Sequence, residues 1–137
     1  MFAQVGRDSW TERSASVCYV AHNMELGTRG EDLAAEYLIA AGMRIEVRNW
    51  RNRYGEIDLI VDDAGVTAFV EVKTRTSNRF GPPAEAVTFA KQARIRRLAG
   101  YWLAERTGPW VEVRFDVVSV LIEPGTDPVV THFPAVF

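Results

Sequence analysis

Two neighbouring runs limit what this chain can fold into more than any other feature. Gly55-Glu56-Ile57-Asp58-Leu59-Ile60-Val61 and Ala68-Phe69-Val70-Glu71-Val72-Lys73-Thr74-Arg75 are strand-like, and each plants charge inside apolar sequence. Branched and aromatic residues in such runs favour a covered, pleated surface. A carboxylate or ammonium buried there is costly unless it is paired or holds a metal ion. Asp63-Ala64-Gly65, between the runs, has hairpin-turn chemistry. If the two strands pair through that turn, Asp58 and Glu71 converge near the far end of the hairpin.

The elements around this hairpin follow from periodicity. Thr28-Arg29-Gly30-Glu31 has the form of a capping box, and Leu33, Ala34, Tyr37, Leu38 and Ala41 continue a helix that Gly42 stops. A strand is expected from Met43 to Trp50, with Ile45 and Val47 on one face, and the hairpin strands from Glu56 to Asp62 and from Val66 to Thr74. Ser77 to Pro83 reads as an irregular loop. A second helix is expected from about Thr88 to Arg106, with Ile95, Leu98, Ala99, Trp102 and Leu103 as its apolar stripe, closed by Thr107-Gly108-Pro109. After that crossover, a strand from Val111 to Ile122 can join the sheet in parallel, and Val129 to Thr131 reads as a short strand. The expected fold is α/β, a mixed central sheet flanked by helices in the order αβββαβ. Residues 1–26 show no clean period and read as an N-terminal extension, leaving 27–137 as a single domain.

Composition narrows the function classes. The 137 residues are 47% hydrophobic and 25% charged, which suits one globular domain with one sizeable core. No apolar run approaches the roughly 18 residues of a membrane span, so no membrane partner is expected. Residues 1–19 mix Arg7, Asp8, Glu12 and Arg13 with apolar residues, unlike a secretory signal, and a cytoplasmic location is expected. Cys18 is the one cysteine, which argues against disulfide and zinc chemistry. The net charge of −2 argues against coating nucleic acid by bulk attraction. Yet Arg44, Arg48, Arg51 and Arg53 surround the first strand, and Lys91, Arg94, Arg96 and Arg97 crowd one helix. Local basic patches bind phosphate even in an acidic chain, although such arginines are as readily plain solvated surface. Of 16 basic residues only Lys73 and Lys91 are lysine. Lysine is a compact charge with a movable pKa, so these two mark places where arginine does not serve.

Two carboxylates brought together repel unless a cation sits between them, and all-oxygen ligation selects a hard ion, Mg2+ or Mn2+. Asp58 and Glu71 are the candidate pair, and Lys73 is placed to orient a water or to stabilise charge developing on phosphorus. The structural alternative is a charge ladder on an exposed sheet face. Glu31 either closes the capping box or extends from the helix into the cleft. Glu56 reads as a helper or an arginine partner. Lys91 falls on the stripe of Ile95, Leu98 and Trp102, so it either snorkels past the helix end or aims its ammonium at the carboxylates, the reading we favour. Asp116 reads as a structural pairing residue.

Gly30-Glu31, Gly55-Glu56-Ile57-Asp58-Leu59-Ile60, Phe69-Val70-Glu71-Val72-Lys73-Thr74-Arg75, the stretch Ala86-Val87-Thr88 to Lys91, and Arg114-Phe115-Asp116-Val117-Val118 together resemble the bacterial UPF0102 (YraN) family. That family is similar to the PD-(D/E)XK nucleases and, among them, to archaeal Holliday junction resolvases. The resemblance runs from about Gly27 to Ile122. It implies a restriction-endonuclease-like core, Asp58, Glu71 and the Val72 carbonyl as metal ligands, Lys73 as the catalytic lysine and Glu31 as an auxiliary acid. Gln92 is followed by Arg96 where RecB-type relatives carry tyrosine, so end recognition of the exonuclease kind is not implied and Gln92 is at most auxiliary. The expected function is a metal-dependent DNA endonuclease, with Arg53, Arg75, Lys91, Arg94 and Arg97 as nucleic-acid contacts. Double-stranded or branched DNA is the expected partner. A resolvase makes two symmetric cuts, so a homodimer would follow. The competing readings are a nucleic-acid-binding module without effective catalysis and an interaction domain whose acids merely bind a cation.

Overall fold

The computed structural model describes residues 24–77 and 87–137. Helix α1 occupies residues 24–40, followed by β1 (Arg44–Asn52), β2 (Gly55–Asp63), β3 (Val66–Arg75), α2 (Phe89–Glu105), β4 (Glu112–Leu121) and β5 (Val129–Phe133). The strands form one mixed sheet in the order β1-β2-β3-β4-β5, antiparallel except that β3 and β4 run parallel through the α2 crossover. The α/β architecture and its element order are therefore as expected, and β5 extends two residues beyond the strand read from sequence. The loop expected from Ser77 to Pro83 falls, from residue 78 on, outside the described residues, as does most of the N-terminal extension, including Cys18.

Each helix covers one sheet face. Ala34, Ala35 and Leu38 of α1 pack on Leu59, Val61, Ala68, Val70, Val118 and Val120. Leu98 and Ala99 of α2 pack on Ile57, Ile60 and Phe69, with Trp102 and Phe115 alongside. Burying one such side chain contributes about 1.5–3 kcal/mol, so these two layers hold the fold. Helix α2 starts where Thr88 accepts the Lys91 N–H at 3.2 Å. Helix α1 stops at Gly42, whose φ of +94° allows Met43 N–H to reach back to the Leu38 carbonyl at 3.0 Å.

Two expectations need correction. The helix is already formed at Met24, so Thr28 lies inside it and caps nothing, and Glu31 closes no capping box. The earlier start lets Leu26 pack against the α1 core, a gain that outweighs a cap at Thr28. Ile45 and Val47 do not share a face, because a bulge between them shifts the β1–β2 register; Ile45 joins the α1 layer and Val47 the α2 layer.

Two close contacts position the site. Gly30 packs against β3 so tightly that an added Cβ would stand 1.8 Å from Thr74 Oγ1 and 2.9 Å from its Cβ. Asp116, fully buried, accepts from Arg114 Nε at 2.9 Å and from Ala135 N–H at 3.0 Å and meets His132 Nε2 at 2.7 Å, tying β5 and the chain end to β4. It is thus the structural pairing residue expected. Gly30→Ala should cost about 1–3 kcal/mol in urea unfolding, with Thr74→Ala recovering part of the loss in the double variant. Asp116→Ala, which leaves the Arg114 guanidinium with Asp63 alone and frees the Ala135 N–H and His132, should cost about 3–5 kcal/mol in the same assay.

Candidate active site

The site forms where the β2–β3 ladder stops. Pairing runs from Asp63↔Val66 to Leu59↔Val70 and no further. Beyond it, Asp58 Oδ2 replaces the ladder by accepting the Val72 N–H at 2.8 Å. Alternation breaks at the same point: Ile57 and Ile60, three residues apart, both pack in the α2 layer. The Asp58 carboxylate thus lies in the plane of the sheet, between its two layers. A strand residue directs its N–H and C=O to the same side, so the Val72 carbonyl is also turned toward Asp58.

Glu71 and Lys73 follow on β3. Glu71 is buried, with 8% of its surface exposed. Its Oε1 is ion-paired with Lys91 Nζ and lies 3.8 Å from Lys73 Nζ, so both lysines of the described chain converge on one carboxylate oxygen. Lys91 arrives from the first turn of α2 and aims at the carboxylates. Gly55, Glu56, Asp58, Glu71, Lys91 and Arg94 line a cleft of about 210 Å3. A larger hollow of about 500 Å3, around Leu103, Pro109 and Trp110, lies at the other end of α2; its charged lining residues are Arg106 and Glu112, with no pair of acids.

The electrostatics follow from burial and like charge. Burial first, then the Glu71 charge and a hydrogen bond between the two acids, push the Asp58 carboxyl up to about 7, against a pull the other way from the Val72 N–H. The Glu31 charge also raises Asp58, which places this helix acid within electrostatic reach of the pair. Glu31 itself is raised, mainly by burial, against a hydrogen bond from Asn49. Lys73 is lowered by burial and by the neighbouring Lys91 ammonium. For Lys91, burial pulls down but the bond to Glu71 and its charge prevail, and its pKa rises.

Such a site suits a hard cation. Among the described residues no three His, Cys, Asp or Glu side chains are grouped to hold an ion. Asp58 and Glu71 are the two acids that could hold one, with the Val72 carbonyl, on the same strand edge as the N–H that Asp58 accepts, as a main-chain oxygen.

Other expected residues lie around or away from this centre. Glu56 lines the cleft and pairs with Arg51 at 3.3 Å. Gln92 is turned to the main chain, donating to the Val87 carbonyl at 3.1 Å. Arg97 is exposed on α2 and Arg75 half-buried at the end of β3. Arg53 stands 4.7 Å from the Tyr54 ring centroid. The arginines of β1 itself are taken up by acids, Arg44 by Glu46 and Asp62, Arg48 by Asp32 and Arg51 by Glu56. Sequence reasoning missed Asn49, which holds Glu31 from a backbone φ of +52°. Asparagine tolerates that region better than most residues, but only the pairing of β1 with β2 shows that it is used here.

A pH test follows. The folded Asp58 value near 7 lies above its ordinary 3.8, so the folded chain keeps a proton that the unfolded chain has lost, and stability drains away from about pH 4 to about pH 7. In metal-free protein Asp58→Asn, neutral throughout, should be the more stable at pH 8 by on the order of a few kcal/mol and equal to wild type near pH 4, read by thermal melts.

Comparison with known proteins places this geometry in a family. The model of the Uncharacterised protein family UPF0102 matches residues 30–120, a span that contains Glu31, Asp58, Glu71, Lys73 and Lys91. A UPF0102 protein of Nocardia farcinica is 63% identical over 118 residues, covering 86% of this chain and 93% of the relative. One from Rhodococcus opacus is 57% identical over 113 residues, covering 82% and 96%. One from Mycolicibacterium vanbaalenii is 53% identical over 112 residues, covering 82% and 93%. The chain belongs to the UPF0102 family.

Proposed function

We propose that this protein is a divalent-metal-dependent DNA endonuclease that hydrolyses a phosphodiester. The reading rests on one observation: Asp58, Glu71, Lys73 and Lys91 meet at a break in the β2–β3 ladder, and Asp58, Glu71 and Lys91 line a cleft there. Mg2+ or Mn2+, held by Asp58, Glu71 and the Val72 carbonyl, would supply Lewis acidity to a phosphate oxygen and lower the pKa of an attacking water. Lys73, its proton loosened by burial and by Lys91, is suited to orient that water or to protonate the departing oxygen. Glu31 is suited to hold the water on the α1 side, and Arg94 to receive phosphate at the cleft wall. The resemblance to junction resolvases favours branched DNA and a homodimer making paired cuts, and the mixed polar and apolar character of residues 1–19 favours a cytoplasmic setting.

A second reading draws on the ammonium of Lys91, which already neutralises Glu71. In that case the protein is a nucleic-acid-binding module that keeps the fold without cutting. Incubating the chain with labelled linear, nicked and four-way DNA plus Mg2+ or Mn2+ separates the two. Metal-dependent cleavage, reduced at least about 100-fold by Asp58→Ala and by Lys73→Ala, supports the nuclease. Tight, salt-sensitive binding without cleavage supports the module. For the nuclease, Mn2+ should also raise the melting temperature of wild type and leave that of Asp58→Ala unmoved.

A further inference from the structure

An aromatic stack adjoins the cleft. Tyr54 and Tyr101 lie face to face, ring centroids 5.1 Å apart and planes 10° apart. Both remain exposed, at 44% and 38%, so the stack is presented to solvent and not absorbed by the core. Tyr54 sits on the β1–β2 turn, its N–H fixed by Asn52 Oδ1 at 2.8 Å, and directly precedes Gly55 of the cleft lining. That turn rests on α2, since Gly55 lies against Leu98 and the Arg94 side chain. Tyr101 follows Arg94 by seven residues and Arg97 by four, so the three share one face of α2. Arg53 stands over Tyr54. A π-surface bordered by three arginines, continuous with a cleft already lined by Arg94, matches a polyanion that also carries flat rings.

We propose that the Tyr54–Tyr101 stack is a nucleobase platform, taking an unpaired base of a strand whose phosphates cross Arg97 and Arg94 into the cleft. The inference deepens the nuclease reading and rests on it: the substrate class becomes DNA with unpaired nucleotides beside the scissile phosphate. A continuous duplex is the poorer ligand, because its bases already stack on one another and offer no free face.

Fluorescence anisotropy on the full chain, without metal, tests this with a blunt duplex and the same duplex bearing a single-stranded arm. Wild type should bind the armed DNA ~10-fold tighter, the scale of one base–aromatic stack. One abasic position along the arm should remove that preference. Tyr54→Leu and Tyr101→Leu should abolish it, and Tyr54→Phe and Tyr101→Phe, which keep the ring, should preserve it. Equal affinity for the two DNAs, or a preference untouched by the leucine variants, overturns the platform while leaving the cleft reading intact. Absence of binding to any DNA, with Mg2+ as without it, overturns both. Should a leucine variant fail to fold, the abasic series on wild type decides alone: a single sensitive position supports the platform and a flat profile overturns it.

Discussion

The early end of the β2–β3 ladder is the constraint on which the rest of this molecule turns. A main-chain N–H in the middle of a sheet cannot be left bare without a penalty of about 1–3 kcal/mol. At Val72 the missing partner strand is replaced by the Asp58 carboxylate. A structural need thereby fixes an acid in the plane of the sheet, where main-chain oxygen and two further charged side chains of β3 are within reach. The position of Asp58 makes no sense without that break.

The helices bring the remaining charges because of how they pack. Residue 30 has no side chain, so α1 lies directly on Thr74 and Glu31 is carried to the same end of the sheet as Asp58. The parallel crossover obliges α2 to begin near the end of β3, and its first turn delivers Lys91 onto Glu71. Exposed ion pairs such as those of Arg44 and Arg51 contribute about 0–1 kcal/mol, too little to shape the fold. Their effect is on availability: arginines of β1 already facing carboxylates are poor candidates for phosphate, which shifts the basic character of the cleft to Arg94 and Arg97 on α2.

Much of this was readable before any coordinates. Period-two and period-three-to-four patterns in β2, β3 and α2 are strong because those elements are covered, and covered elements have little freedom in composition. The scarcity of lysine pointed to Lys73 and Lys91, and both reach Glu71. Local rules failed where tertiary packing offered more. Thr28 has the chemistry of a cap, but Leu26 gains more by extending the helix. Ile45 and Val47 alternate in sequence, but a bulge, which leaves no mark in composition, parts them. The Tyr54–Tyr101 stack joins residues 47 positions apart, and nothing short of the fold brings that turn and that helix together.

The bulge in β1 bears on how securely the chain finds its arrangement. A one-residue slip turns every side chain of a strand to the other face, which costs little only where the two faces are alike. Here the strand is keyed to both hydrophobic layers at once, Ile45 to one and Val47 to the other, so any slide empties a socket on each side of the sheet. An outermost strand thereby serves as a lock on alignment, and Asn49, two residues further on, is held opposite β2 by the same key.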